Sequence, residues 1–362
     1  MSPERDYADY PGQPVSLSQL TTLRLGGPAR AFVRVTTADE LVETLGRLDR
    51  AGEPVLLVGG GSNLVVSDAG FAGTVVQIAN DEVRYDVGPD DCPRVVADAG
   101  AGWDAVVADT VERNLGGLEC LSGIPGAVGS TPVQNVGAYG VEIADVLDGV
   151  EVLDRTDGAL RWITPSELAL AYRTSALKHH DDRVVVRVAM RLTDDGLSAP
   201  IRYRELAHTL GVEQGERVPV AVVREQVLAL RSGKGMVLDA GDHDTWSAGS
   251  FFTNPIVSDD DLPHILDAIS ARVGDVPVPR FAAEGGVKLS AGWLIERAGF
   301  SRGYPDDTVS VRLSTKHTLA LTNRGGATTE ELLTLARQVR DGVEAAFGVR
   351  LEPEPVLVGC RL

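Results

Sequence analysis

Four places in the chain set a reactive or ligand-binding side chain in a sequence that would hold it still. Ser250 lies in Ala248-Gly-Ser-Phe-Phe-Thr-Asn-Pro255. Small residues precede it and a Phe pair follows, so its hydroxyl would sit beside an apolar wall. The segment is not a GxSxG elbow, which argues against a hydrolase nucleophile. Such a serine could give a proton to a carbanion made by another group, or it could be a serine in a turn. Tyr172-Arg173, with Ser175 and Lys178 just beyond, is a cationic cluster. The planar fork of Arg173 suits a carboxylate, which it can hold with two hydrogen bonds, although a surface arginine would read the same. Arg231 and Lys234 bracket a Ser-Gly turn at a helix end, suited to phosphate or to plain solvation. Glu354, in Glu352-Pro-Glu354, stands where a buried strand begins. Burial would raise its pKa and let it act as an acid; the alternative is an exposed edge blunted by prolines. The six histidines show no HExxH or paired spacing, so no metal site is expected, and His179-His180 reads as a polar turn.

Two glycine-rich stretches could hold a ligand for these groups to act on. Gly116–Glu142, GGLECLSGIPGAVGSTPVQNVGAYGVE, has seven glycines and two prolines. That composition suits neither a helix nor a central strand. Leu118, Leu121, Ile124, Val128, Val133 and Val136 run through it, so it is no polar linker. A long apolar loop inside a compact domain is usually functional; the alternative is a buried irregular connection. Gly59-Gly-Gly-Ser-Asn63 follows the strand pattern Glu53–Val58. Its spacing is not GxGxxG, and no helix opens behind it, so it is not a dinucleotide fingerprint. It reads as a tight turn whose N–H groups form an anion nest, with Ser62 and Asn63 adding donors, or as a hairpin turn.

The elements that must carry these residues follow from periodicity. Strands are expected at Ala31–Val35, Glu53–Val58, Thr74–Ile78, Val83–Val87, Arg94–Asp98, Val146–Leu153, Arg161–Ile163, Val184–Leu192 and Leu319–Thr322, with an extended segment at Val349–Val358. Helices are expected from Thr37 to Leu48, Asp104 to Asn114 (stopping at Gly116-Gly117), Ser166 to Leu170, Val218 to Leu230, Asp260 to Val273 and Ser290 to Ala298, with a last one from a Thr328/Glu331 capping box to Phe347. Gly88–Pro93 reads as a loop, and residues 1–15 as a flexible tail. At 362 residues, 43% apolar and 24% charged, the chain has room for two or three domains with real cores. Three scattered cysteines without a CxxC favour a reducing, cytoplasmic setting. No long apolar run would span a membrane, and the N-terminus is not a secretory signal. A net charge of −18 argues against nucleic-acid binding.

Taken together, LGGPA at 25–29, VGGGSNL at 58–64, SGIPGAVGSTPVQNVGAYG at 122–140, AYRTS at 171–175, AGSFFTNP at 248–255 and LEPE at 351–354 resemble one family. It is the UDP-N-acetylenolpyruvoylglucosamine reductases (MurB) of peptidoglycan synthesis, and the likeness runs from about Leu20 to Gly359. The resemblance implies an α+β protein with an FAD-binding fold of the vanillyl-alcohol-oxidase type and a C-terminal substrate-binding domain. The implied partition is a tail at 1–15, FAD subdomains at 16–80 (with 355–362 returning to it) and 81–217, and a substrate domain at 218–354. By resemblance, Gly59, Gly60, Gly61, Ser62 and Asn63 contact the diphosphate of non-covalently bound FAD. Gly117, Ser122, Gly123, Ile124, Pro125, Gly126, Gly129, Gln134, Asn135, Gly137, Ala138 and Tyr139 would wrap the rest. Ser250 would be the proton donor, and Arg173 with Glu354 would polarise the substrate carboxylate. Tyr172, Tyr203, Lys234 and Asn254 would bind the nucleotide-sugar substrate, Tyr203 pointing to the subclass with an extra tyrosine loop.

The implied reaction is reduction of UDP-N-acetylglucosamine enolpyruvate to UDP-N-acetylmuramate by a cytoplasmic monomer, NADPH being the hydride donor through FAD. The chain departs from the family's best-known members between Lys234 and Ser250. That stretch is longer and lacks a Pro-Asp-Pro turn, and its Asp239, Asp242 and Asp244 are expected to point outward. Two competing readings keep the fold. A flavin oxidase would attach FAD through a residue such as Cys120, and a nucleotide-binding module would have lost the chemistry. The AYRTS, AGSFFTNP and LEPE set argues against both.

Overall fold

The computed structural model describes residues 15–88 and 91–362. The expected tail lies, through residue 14, outside the described residues, as do positions 89 and 90 of the expected loop. The chain forms two compact units. The first holds residues 29–60 and 72–232, and the second holds 16–28, 61–71 and 233–362.

Among its described residues the first unit contains two larger sheets and a small hairpin, Gly137–Ala138 paired with Val141–Glu142. Strands Ala29–Val35, Phe71–Ile78 and Val55–Val58 form a three-stranded sheet in that order, with Val55–Val58 parallel to Thr74–Gln77. Helix Ala38–Arg50 covers it through Leu41, Leu45 and Leu48, spaced to share one helix face. Thr37 caps this helix by accepting the Glu40 N–H at 3.1 Å. The Glu40 carboxylate accepts from the Thr36 N–H at 2.7 Å, one residue upstream of the expected box partner. The larger sheet is antiparallel, in the order Ala159–Ile163, Leu147–Asp154, Arg183–Arg191, Pro93–Asp98, Val83–Val87. Its central strand Arg183–Arg191 is buried on both faces. Val184 and Val186 belong to the core under helix Ala38–Arg50, while Val185, Val188 and Met190 belong to the larger core. The bulge between Val185 and Arg187 explains the change of parity.

Helix Trp103–Glu112 inserts Trp103, Val106, Val107 and Val111 into that larger core. It ends before Gly116: Asn114 takes the left-handed conformation (φ 58°), so the chain reverses two residues earlier than expected. Helix Val220–Gly233 packs Val223 and Val227 into the same core and extends past its expected end. Helix Arg204–Leu210 is an addition to the expected elements.

The second unit gathers three short sheets around one core. Ile256–Val257, Gly286–Leu289 and Arg280–Ala283 form an antiparallel sheet, Val311–Leu313 pairs with Leu321–Asn323, and Leu64–Val66 runs parallel to Val356–Val358. Helices Leu262–Val273, Ala291–Ala298 and Thr329–Phe347 pack on them. The capping box is present as expected: Thr328 accepts the Glu331 N–H at 3.2 Å, and Glu331 accepts the Thr328 N–H at 2.7 Å. Gly348 (φ 71°) ends the helix. Its first turn also donates two N–H groups to Asp68, at 2.8 and 3.1 Å, where a carboxylate complements the helix dipole.

Candidate functional site

Strand Val55–Val58 delivers Gly59 and Gly60 against the glycine-rich loop. A Cβ on Gly60 would lie 2.6 Å from the Gly126 Cα, so the two backbones touch where no side chain fits. The loop itself is held by the start of helix Trp103–Glu112. The Trp103 N–H donates to Gly126 O at 3.0 Å, and its indole Nε1 donates to Leu121 O at 2.9 Å. The Gly123 N–H donates to Asp104 Oδ1 at 2.6 Å. Asp104 is also held by both Arg224 guanidinium nitrogens, at 2.7 and 3.0 Å. Burial pushes the Asp104 pKa up, but the bonds from Arg224 and Gly123 and the Arg224 and Arg231 charges outweigh it, leaving the carboxyl below its usual range.

Further along, Gly129 donates to Ala99 O at 2.8 Å and lies so close that a Cβ would come within 2.5 Å of the Ala99 Cβ. Ser122 is buried and its hydroxyl donates to Glu119 O at 2.7 Å. Gly117 donates to the buried Glu119 carboxylate at 2.7 Å, and Ala199 donates to the same carboxylate at 2.9 Å. Burial raises the Glu119 pKa against these bonds. Gly117 and Ser122 therefore brace the loop. Ile124, Pro125 and Gly126 are only half-buried, in contrast to Leu118, Leu121, Ala127 and Val128. An apolar stretch on a rigid backbone is what the flat ring of a flavin would cover, so the residues present fit FAD. Cys120 is buried in the core, where desolvation, with the Glu119 charge, pushes its thiol pKa up.

Asn135 and Arg173 are brought together. Asn135, in the left-handed region at φ 45°, spends its amide on the fold: Nδ2 donates to Glu142 at 2.9 Å and to Ala171 O at 3.2 Å, and Oδ1 accepts from Ala144. Arg173, also left-handed at φ 54°, donates to Asn135 O at 3.3 Å and Gly137 O at 3.0 Å. These bonds fix the plane of its fork. Lys178 donates to Arg173 O at 2.8 Å and Ser175 to Val133 O at 2.6 Å, so both support the arginine's loop. Tyr172 is half-buried, with its ring 5.2 Å from the Arg173 guanidinium carbon. Tyr139 and Tyr203 meet edge to face, centroids 5.4 Å apart, Tyr203 being exposed. Burial pushes the Tyr139 phenol up to about 12. Gln134, Gly137 and Ala138 line the same loop, half-buried. Arg231 is a half-buried cation on helix Val220–Gly233, where desolvation lowers its pKa against the opposing charges of Tyr139 and Asp104.

In the second unit, Gly61 (φ 60°) is a position only glycine can fill, since a Cβ would come within 1.8 Å of Leu20 O. Ser62 and Asn63 follow, half-buried, and Asn63 donates to Glu354 O at 3.4 Å. Ser250 and Glu354 stand on neighbouring extended segments: the Glu354 N–H donates to Phe251 O at 2.9 Å, and the Thr253 N–H to Glu352 O at 3.0 Å. Both Ser250 and Glu354 are half-buried, as is Lys234 at the end of its helix. The Asn254 Oδ1 accepts the Ala291 N–H at 2.9 Å, so this amide holds the start of helix Ala291–Ala298.

The three aspartates of the long segment before Ser250 divide. Asp239 is exposed as expected, whereas Asp244 points inward at 5% exposure. It accepts from the Thr315 N–H and hydroxyl and pairs with Arg324 at 2.9 Å. Asp242 pairs with Lys316 at 2.5 Å. The outward orientation fails for Asp244 because Arg324, 80 residues on, supplies the charge that lets a carboxylate be buried. Asp104, Arg224 and Asp244 escape sequence reasoning for the same reason: each acts through a distant partner. Among the described residues, no group of three or more His, Cys, Asp or Glu could hold a metal ion, and no helix is long and apolar enough to cross a membrane.

Residues 29–164 match the FAD binding domain family, which defines the class: an FAD-binding protein of α+β fold. Residues 241–358 match the C-terminal domain of UDP-N-acetylenolpyruvoylglucosamine reductase. The chain is 60% identical to the reductase of that name from Nocardia farcinica over 348 residues, covering 96% of this chain and 90% of the relative. It is also 60% identical to that from Saccharopolyspora erythraea, with 96% and 95% covered. The crystal structure of the reductase from Thermus caldophilus superposes with a TM-score of 0.64 at 27% identity, covering 96% of this chain and 98% of that one. The chain belongs to the UDP-N-acetylenolpyruvoylglucosamine reductase family. It is an FAD-dependent oxidoreductase of peptidoglycan precursor synthesis.

Proposed function

We propose that this chain reduces UDP-N-acetylglucosamine enolpyruvate to UDP-N-acetylmuramate at the expense of NADPH, with Ser250 as the proton donor. The observation that carries the reading is the rigid presentation of Ser250 and Glu354 on adjacent, hydrogen-bonded segments. Family membership supports it. Bound FAD would supply the hydride, received from NADPH and passed to the terminal carbon of the enolpyruvyl group. Arg173, its fork plane set by Asn135 O and Gly137 O, would take the substrate carboxylate and stabilise the negative charge that builds on it. Glu354 would assist on the same carboxylate. The Ser250 Oγ–H would give its proton to the carbon beside that carboxylate, completing addition of two hydrogens across the double bond. Lys234, Tyr172, Tyr203 and Asn254 are assigned to the nucleotide-sugar. The cofactor is assigned to Gly59–Asn63 and the loop Gly117–Tyr139, whose half-buried apolar stretch at Ile124–Gly126 suits a flavin ring. The burial of Cys120 favours non-covalent FAD. The three-domain partition, the tyrosine-loop subclass, a cytoplasmic location and a monomeric state complete the proposal.

The test separates the half-reactions. Ser250→Ala should still be reduced by NADPH, yet yield protonated product at a rate lower by about a hundredfold or more, the usual weight of a general acid. Arg173→Lys should keep charge but lose the fork, slowing the same step. Parent-like product formation in Ser250→Ala would remove Ser250 from the mechanism.

A further inference from the structure

The long segment before Ser250 is built as a clamp, and Ser250 hangs from it. Its neighbours are tied to one hairpin, Val311–Leu313 paired with Leu321–Asn323. Upstream of Ser250, the Asn323 N–H donates to Trp246 O at 3.0 Å; downstream, the Phe251 N–H donates to Leu319 O at 2.7 Å. Between these attachments lies a four-residue arch, Ser247–Ser250. It is braced by the Thr22 hydroxyl on Ser247 O at 2.6 Å and by the Gly249 N–H on Ser247 Oγ at 3.2 Å. Gly249 makes the bend at φ 72°.

The upstream end of the arch is fixed three residues earlier by Asp244. Its Oδ1 accepts from the Thr315 N–H at 3.0 Å and from Arg324 Nη1 at 2.9 Å, and its Oδ2 accepts from the Thr315 hydroxyl at 2.5 Å. Thr315 and Arg324 flank the two strands of the same hairpin. Asp242 adds Lys316 from the hairpin's turn and orders the Asp244 backbone N–H at 2.9 Å. The Thr245 hydroxyl is directed at the carbonyls of Asp239 and Asp242, both at 2.8 Å. One carboxylate thus joins the segment to both sides of the platform that carries Ser250.

We infer that Asp244 is a positioning residue for protonation, its bonds to Thr315 and Arg324 setting the arch that presents the Ser250 hydroxyl. The inference rests on the proton-donor reading above. Asp244 touches no reacting atom. Its effect comes through geometry, and a misplacement of about 1 Å is worth roughly a hundredfold in rate.

Asp244→Asn keeps an acceptor for Thr315 but loses the charge on Arg324. In the holoenzyme it should retain FAD, and NADPH should reduce its flavin within about twofold of the parent rate. Reoxidation by the enolpyruvyl substrate should slow by about tenfold to a hundredfold, with kcat falling more than KM rises. A merely structural loss would depress both half-reactions together. Thr315→Val and Arg324→Gln each break one arm; if Asp244→Asn does not fold, these carry the test, each expected to slow reoxidation several-fold. Parent-like reoxidation in the variants that fold, beside an impaired Ser250→Ala, overturns the inference alone. Parent-like turnover in Ser250→Ala overturns the reading beneath it as well.

Discussion

Gly60 shows how much a single absent side chain can matter. A Cβ there would lie 2.6 Å from the Gly126 Cα and 2.8 Å from its carbonyl carbon, both backbone atoms that cannot swing aside. Gly60→Ala should therefore push the strand end away from the glycine-rich loop. We expect a stability loss of about 1–3 kcal/mol, typical of overpacking, together with weaker FAD binding, read by flavin fluorescence during titration of the apoprotein. Retention of both parent values would remove this contact from the account. At this scale the chemistry of each residue was legible in the sequence: the fork of Arg173, the small residues before Ser250, the glycines at 59–61. Their supports were not. Nothing local marks Asp104 as the acceptor for Gly123, because its other partner, Arg224, lies 120 residues away. A bare aspartate in the first turn of a helix reads as a dipole partner and nothing more.

At the scale of elements, caps were legible because they are local. Thr328 with Glu331, and Gly348 at the far end, bound the last helix as read from the sequence. Thr328→Ala should cost about 1 kcal/mol, and Gly46→Ala, inside helix Ala38–Arg50, should stabilise by about 0.5–1 kcal/mol. At Gly46 the nearest obstacle to a Cβ is the flexible end of Arg50 at 3.4 Å. Urea titration of both variants checks the opposite signs. The hairpin Arg280–Ala283 with Gly286–Leu289 escaped the reading. Its two-residue turn, Glu284-Gly285, takes positive φ at Gly285 (84°), a signal that was present but stood between short strands without clear alternation. Strand Val311–Leu313 is three residues long, too short for periodicity to declare itself. Leu64–Val66 gains strand identity only from Val356–Val358, 292 residues on.

The whole molecule carries a net charge of −18, yet several of its carboxylates are engaged by cations and N–H groups. Asp104 and Asp244 are both held below the usual range: burial works against the charge at each, and the bonds from Arg224 at one and from Thr315 and Arg324 at the other prevail. A carboxyl depressed in the folded state stabilises fully above its unfolded pKa and loses that contribution as pH falls through the folded value. Stability should therefore fall on acidification below the ordinary carboxylate range. Asp244→Asn should show a shallower fall there, measured by denaturant titration across pH.

One anaerobic experiment tests whether the reduced flavin passes its hydride to the enolpyruvyl substrate. The purified protein, loaded with FAD, is reduced with NADPH, and UDP-N-acetylglucosamine enolpyruvate is then added while the flavin absorbance is followed. The expected result is bleaching by NADPH, rapid return of the oxidised band on adding this substrate, and UDP-N-acetylmuramate in stoichiometric amount. A flavin that NADPH reduces but the enolpyruvyl substrate leaves reduced would contradict it.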